Sequence, residues 1–409
     1  MSGAGATSSK LAEEKRLAEA ADTEAAGEQL PSKAAEEPAA KAAEEKLLVV
    51  DSLESPTAPP AAIPSTATLT AGTPPAATTT VPVLPAHHWT EAPDDGLDDN
   101  DSALGDGADS TASLSSSILS YRTIQGRTYH SEMGNAQYWG SNDEGHNESL
   151  DILHHVFTLA LEGKLYLAPI KEPKKVLDVG TGTGIWAIDF ADAFPGSDVI
   201  GTDVSPIQPT WVPPNLRFEI EDCTQEWTFH ENEFDYIHIR YMVGSLTNWH
   251  ALFKEAYRCL KPGGWFESYE GSPSLHCDND TIPPTSALGQ WGPLFINGGR
   301  QIGRSFTVVE EEIQRKAMEE AGFVDIQEKS IKVPSGSWPE DPRLKDMGSF
   351  SKLAVMQDAE GFILFMTNVL GWPRQQVDVF IAHLRKELRV CKYNYYYNQR
   401  VVWGRKPEL

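Results

Sequence analysis

From Leu47 to Tyr121 the chain has no lysine or arginine, while Pro, Thr, Ser and Ala dominate. Such a stretch cannot bury enough apolar surface to offset its ordering entropy. Residues 1–118 are therefore expected to form a disordered, acidic tail, Ala-, Glu- and Lys-rich up to about residue 46. Cysteine is equally scarce. Cys223, Cys259, Cys277 and Cys391 are too scattered for a zinc site or a disulfide framework, so no metal is expected. No secretory h-region and no apolar run of bilayer length occurs, which predicts an intracellular chain, cytoplasmic or nuclear, without membrane contact. Positive charge is also in deficit, with a formal charge of −25. Residues 1–120 hold 20 acids against 6 bases, a charge of −14, and the remainder 39 against 28, a charge of −11. An acidic folded part lacks the basic footprint that nucleic-acid phosphates require. A basic protein substrate would still be attracted by its net field.

The most informative stretch is Val176-Leu177-Asp178-Val179-Gly180-Thr181-Gly182-Thr183-Gly184. A short apolar strand runs into three alternating glycines, and Ile185 to Phe190 then reads as a helix. Glycine permits backbone angles and close approaches that a side chain would block. A second strand, Val199 to Thr202, ends in Asp203, and an acid at that tip commonly meets ribose hydroxyls in a doubly wound sheet. The dinucleotide fingerprint is G-x-G-x-x-G, whereas the spacing here is G-x-G-x-G with Asp178 two residues ahead. A strand-to-helix turn without any ligand would explain the glycines alone equally well; Asp203 shifts the balance toward a nucleoside cofactor. Further strands read at Asn215–Ile220, ending at Glu221-Asp222-Cys223, at Phe234–Ile239 and at Trp265–Glu270. A helix from Trp249 to Leu260 stops at Lys261-Pro262-Gly263-Gly264.

The G-x-G-x-G spacing with its preceding acid resembles motif I of class I S-adenosylmethionine (SAM) methyltransferases, and L-K-P-G-G-W at 260–265 is similar to another of their signatures. From Tyr121 to Leu409 the likeness is closer. G-T-G-T-G-I-W-A-I-D-F at 180–190, G-T-D-V-S-P-I-Q-P-T-W-V-P-P-N-L-R-F-E-I-E-D at 201–222 and E-W-T-F at 226–229 resemble the fungal LaeA-like, or TAM-domain, methyltransferases. So do Tyr138 to Glu144, His154-His155, Gly163 to Pro169 and Arg400 to Pro407. Ser149 stands where relatives usually carry arginine. The resemblance implies an α/β, doubly wound, Rossmann-like sheet of seven strands, with a cap or lid over 119–170 and the methyltransferase domain over 171–409. It implies SAM as cofactor, held by Asp178, Gly180, Thr181, Gly182, Gly184, Asp203, Val204, Glu221, Asp222, Cys223, Arg240 and the lid residue Tyr138. It also implies a role in or over secondary metabolism and a methyl acceptor that is a small molecule or a protein. Velvet-type regulatory proteins are possible partners, and a SAM-binding scaffold with little turnover is the alternative to an enzyme.

His238 and Arg240 alternate on one face of the fourth strand, at the sheet edge where ligands bind. With Tyr241 and Glu270 they are the candidate catalytic residues, although His238 serves equally well as a hydrogen-bonded sheet residue and Glu270 as a solvated acid. The expected acceptor cavity is bounded by these four and by Tyr129 and His130. The cap aromatics Tyr121, Tyr129, Tyr138 and Trp139 suit a lid over a sulfonium, or anchors that pin a loop. A cap helix is expected over 148–161, an insertion over 271–307 and a helix from Thr307 to Ala321 with Glu310 completing a capping box. Strands at Phe323–Val333 and Gln399–Gly404 should follow, the last lying antiparallel between the fifth and sixth.

Overall fold

The computed structural model describes residues 81–93, 120–131, 138–278 and 281–408. The expected disorder of 1–80 and 94–118 lies outside the described residues.

A hairpin of β1 (Arg122–Ile124) and β2 (Arg127–Tyr129) leads to helix α1 (Glu144–Ala160). Arg127 ties this region together. Its guanidinium donates to both Asp143 oxygens at 2.6 Å and to Asp358 at 2.8 and 2.7 Å. Asp143 caps α1 and Asp358 caps a later helix, so one arginine neutralises two capping carboxylates.

The sheet alternates with helices: β3 (Lys175–Val179), α2 (Ile185–Ala193), β4 (Asp198–Asp203), β5 (Leu216–Ile220), β6 (Phe234–Arg240), α3 (Trp249–Cys259) and β7 (Leu260–Cys277). Then come α4 (Ala287–Gln301), α5 (Ile313–Ala321), β8 (Val324–Pro334), α6 (Pro342–Gln357), α7 (Ala359–Val369), α8 (Arg374–Val390) and β9 (Tyr395–Arg405). The seven strands order as β5-β4-β3-β6-β7-β9-β8. Those from β5 to β7 are parallel, and β9 runs antiparallel between β7 and β8. This is the doubly wound arrangement expected. Buried Val176, Leu177, Ile237, Ile239 and Phe266 form its centre, as parallel strands covered on both faces require.

Several elements depart from expectation. The cap contains a hairpin where a loop was expected, and α1 begins four residues earlier, at the Asp143 cap. Strand β7 continues past Glu270 to Cys277, because β9 pairs with it as far as Cys277↔Tyr395 across an irregularity between Gly271 and Leu275. Glu270 is thus inside a strand. Helix α5 starts at Ile313, not Thr307: Glu312 takes a left-handed φ of 56°, and the Glu310 carboxylate accepts from Ser272 Oγ instead of closing a capping box. Residues 81–93, expected within the tail, pack on the domain. Trp89 is buried edge-on against Phe380 of α8 at 4.9 Å, and Leu84 N donates to Gln290 Oε1 of α4 at 2.6 Å. The buried indole and the Leu84 and Glu91 backbone contacts anchor this otherwise mostly exposed, Pro-flanked segment, despite a composition that reads as tail.

Candidate active site

A cavity of about 130 Å³ lies at the C-terminal ends of β3, β4, β5 and β6. Its floor is the glycine loop. Gly180, Gly182 and Gly184 have φ of 69°, 58° and 82°, a region that strains any other residue. A Cβ on Gly180 would strike Met242 Sδ at 2.4 Å, and one on Gly184 would strike the Phe218 ring at 2.4 Å. On Gly182 it would meet no heavy atom within 4 Å. Gly180 and Gly184 are therefore glycines for packing, while Gly182 presents bare backbone to open space.

Asp203 closes one side. Its Oδ2 accepts from Gly182 N at 2.9 Å and its Oδ1 from Ser205 N at 3.0 Å. A carboxylate offers about four acceptor sites, so both oxygens keep capacity for further donors. Burial pushes the carboxyl up to about 6, against the backbone hydrogen bonds that lower it. Val204, Glu221 and Cys223 line the same end, and Tyr138 covers it from the cap.

The other end is set by β3 and β6. Asp178 Oδ2 accepts from Thr181 Oγ1 at 2.6 Å, and its Oδ1 pairs with His238 Nδ1 at 2.8 Å. The carboxylate places the histidine proton on Nδ1. Burial lowers the imidazole's pKa below its ordinary value, against the pull of Asp178. The ring stacks on Trp186 at 3.7 Å, and Nε2 is buried with no partner among the described residues. Arg240 Nη2 reaches His154 Nδ1 at 3.1 Å, and its guanidinium lies 4.7 Å from the Phe157 centroid. Arginine can only donate, so the His154 proton sits on Nε2 and goes to Asp189 at 2.9 Å. Burial lowers Arg240 to about 10. Among the described residues no carboxylate forms an ion pair with it.

Three features therefore fit a ligand carrying hydroxyls, an amine and a carboxylate: open space over Gly182, the lone cation of Arg240, and unsatisfied polar atoms in the wall. Asn142 supplies two of those atoms, since neither its Oδ1 nor its Nδ2 finds a partner among the described residues. Asn142 was missed as a site residue, although it lies within the Tyr138–Glu144 motif.

Some expected residues stand elsewhere. Asp222 is not among the lining residues, and its Oδ1 accepts from Thr224 N at 2.9 Å and Thr224 Oγ1 at 2.6 Å in a local turn. Glu270 reaches neither this cavity nor its neighbour. It is buried, and its oxygens accept from Met242 N at 3.1 Å and Val243 N at 2.9 Å, holding the turn after β6. Burial raises it to about 8. Tyr129 packs on Phe365, and His130 Nε2 accepts from Tyr138 N at 2.9 Å, so both brace the lid from behind. Trp139 is also an anchor, its Nε1 donating to Val243 O at 2.8 Å. Ser149, at the departing position, is buried with Oγ donating to Gly145 O.

A second cavity of about 70 Å³ adjoins the first through Leu153 and Tyr241. Tyr241 has φ 58°, unusual for a bulky side chain, and its N donates to Tyr269 O at 2.9 Å. Tyr395 and Tyr397 also line this second space.

Comparison with known proteins finds methyltransferase relatives. A family model described as a methyltransferase domain matches residues 152–328. Methyltransferase pytC of Aspergillus terreus is 37% identical over 312 residues, covering 76% of this chain and 95% of that protein. The secondary metabolism regulator LAE1 of Cochliobolus heterostrophus is 37% identical over 291 residues, covering 69% and 94%. The secondary metabolism regulator laeA of Aspergillus fumigatus is 32% identical over 286 residues, covering 69% and 76%.

Proposed function

The chain belongs to the LaeA-like class I methyltransferases and uses SAM, and on that premise we propose that the cavity over Gly182 is its cofactor site. Asp203 receives the ribose hydroxyls. Glu221 and Cys223 border the adenine, and Tyr138 closes over the nucleoside. The amino-acid end lies toward β6, where Arg240 takes the carboxylate and the buried His238 Nε2 and Asn142 Oδ1 accept from the ammonium. The observation that carries this reading is the pairing of open space at Gly182 with Asp203, whose carboxylate bridges the glycine loop and the β4 tip.

When bound, SAM supplies the electrophilic methyl carbon and a thioether leaving group. The protein's share is to hold the acceptor in line and exclude water, which is worth several orders of magnitude in rate. None of His238, Arg240, Tyr241 and Glu270 needs to be a general base for this. His238 and Arg240 position the cofactor, Glu270 fixes the turn that carries Tyr241, and Tyr241 forms the wall between the two cavities.

The acceptor is a small molecule or a protein of secondary metabolism or its regulation, the field named by the LAE1 and laeA relatives. The four free cysteines suit a reducing compartment, cytoplasm or nucleus. Among the described residues no helix is long and apolar enough to cross a membrane. The presence of a second cavity favours an enzyme over a scaffold in a velvet-type complex, which would need only the cofactor site and an outer surface. Calorimetric titration with SAM followed by a labelled-methyl assay on extract fractions tests this reading. SAM binding without transfer to any fraction, with the cellular role kept when the cavity is blocked, would favour the scaffold.

A further inference from the structure

The geometry points to the second cavity as the acceptor site, shaped for an uncharged, largely apolar small molecule bearing a hydroxyl-type group. This inference rests on the reading of the first cavity as the SAM site and adds the chemical class of the acceptor.

Position comes first. In sheet order β5, β4, β3 and β6 succeed one another, and strand spacing of about 4.8 Å separates β5 from β6 by roughly 14 Å. Asp203, Glu221 and Cys223 occupy the β4–β5 end of the first cavity, and Arg240 and Tyr241 the β6 end. The second cavity joins at Tyr241 and Leu153. A nucleoside lodged at Asp203 therefore directs its far end toward the junction, not away from it.

Composition comes second. The walls include Trp139, Leu288, Trp291, Phe295, Phe306 and Phe362. No Asp, Glu, Lys, Arg or His is among the described residues that line it. A charged group brought there would lose its hydration and find no counter-ion among the lining residues. Of the acids just beyond the lining, Glu270 has its oxygens on Met242 N and Val243 N, and Glu310 takes the Ser272 proton. A lysine or arginine side chain is therefore disfavoured, although the acidic domain would attract a basic peptide to its surface.

Polar handles come third. Ser335, Ser351, Tyr395 and Tyr397 bring hydroxyls to the lining, whereas the Ser272 Oγ proton is already given to Glu310. Burial raises both tyrosines above their ordinary value, so they remain neutral donors and acceptors. Neutral hydroxyls within an aromatic shell can orient one polar group of a ligand without charge.

The test uses the full chain and 2-naphthol as probe, followed by calorimetry. Parallel titrations use 2-naphthyltrimethylammonium, a cation that ring faces attract, and an Arg- and Lys-rich peptide. Val355 lines the cavity from α6, so Val355→Trp fills it, with Val355→Phe as the milder filler if the first does not fold. The expected result is saturable 2-naphthol binding, weakened about tenfold or more by filling, with SAM affinity unchanged and any heat from the cationic probes unaffected by filling. The inference is overturned if a cation binds and is displaced by filling, or if 2-naphthol binding ignores Val355→Trp. It is also overturned if Gly182→Arg abolishes 2-naphthol binding, because the probe would then occupy the first cavity. Loss of the SAM-site reading shows separately, as absence of SAM binding to the wild-type chain while the 2-naphthol result stands.

Discussion

The two cavities meet at Leu153 and Tyr241, yet they are built from opposite materials. The first is walled by bare glycine backbone, by Asp178, Asp203, His238 and Arg240, and by an Asn142 amide without partners among the described residues. The second is a shell of rings and aliphatic side chains with a few neutral hydroxyls. The first offers a separate complement to each part of a polar, charged ligand. The second can discriminate only by shape, apolarity and the position of a single polar group. A transferase that joins a polar cofactor to an apolar acceptor calls for that division: a specific polar socket beside an apolar one.

The contrast breaks most visibly at Gly182. Gly182→Arg drives a side chain into the open space over the loop, at a φ that disfavours it. SAM binding is expected to vanish in calorimetry, while 2-naphthol binding and the cooperative unfolding transition persist. Retained SAM binding in the folded variant would remove the cofactor site from this loop.

Next comes Asp203→Ala. Loss of hydrogen bonds to a charged acceptor is worth about 1.5–3 kcal/mol, so SAM should weaken roughly ten- to a hundredfold. An unchanged dissociation constant would assign the ribose to another acid. Arg240→Ala should follow with a loss of about tenfold, the lower end of the same range, and Arg240→Lys should recover part of it. If Arg240→Ala instead leaves SAM affinity intact and lowers only methyl transfer, Arg240 serves the acceptor and the carboxylate assignment fails.

The smallest effect is in stability. Glu267 and Glu270 are held by burial at about 7 and about 8. A carboxyl whose folded value exceeds its unfolded value binds more protons in the folded state, so stability falls as pH rises from the unfolded value through the folded one. The neutral His130, His154 and His238, lowered chiefly by burial, act the other way below their ordinary value of 6.5. Tm should therefore decline from pH 6.5 to pH 8.5, less steeply in Glu270→Gln. An identical slope in that variant would show that Glu270 does not titrate in this window.

Sequence made the first cavity legible and left the second hidden, for a physical reason. The glycine loop, Asp203 and the β6 face are local: each is a strand end whose neighbours follow within a few residues. Even there the direction of a side chain was not readable. Asp203 and Asp222 both follow strands, but only Asp203 turns onto the glycine loop, while Asp222 closes its own turn on Thr224. Glu270 read as a strand-end acid because the pairing of β7 with β9, seven residues further, depends on a distant part of the chain. The second cavity draws on residues from Trp139 to Tyr397, and no local pattern joins them. Thr307 and Glu310 show the converse. Their spacing matches a capping box, and tertiary contact with Ser272 overrides it.

The most direct test is calorimetric titration of the full chain with SAM and, separately, with NAD. The account predicts saturable binding of SAM in the micromolar range, lost in Gly182→Arg, and no heat with NAD. Saturable NAD binding, or SAM binding indifferent to Gly182→Arg, would contradict it.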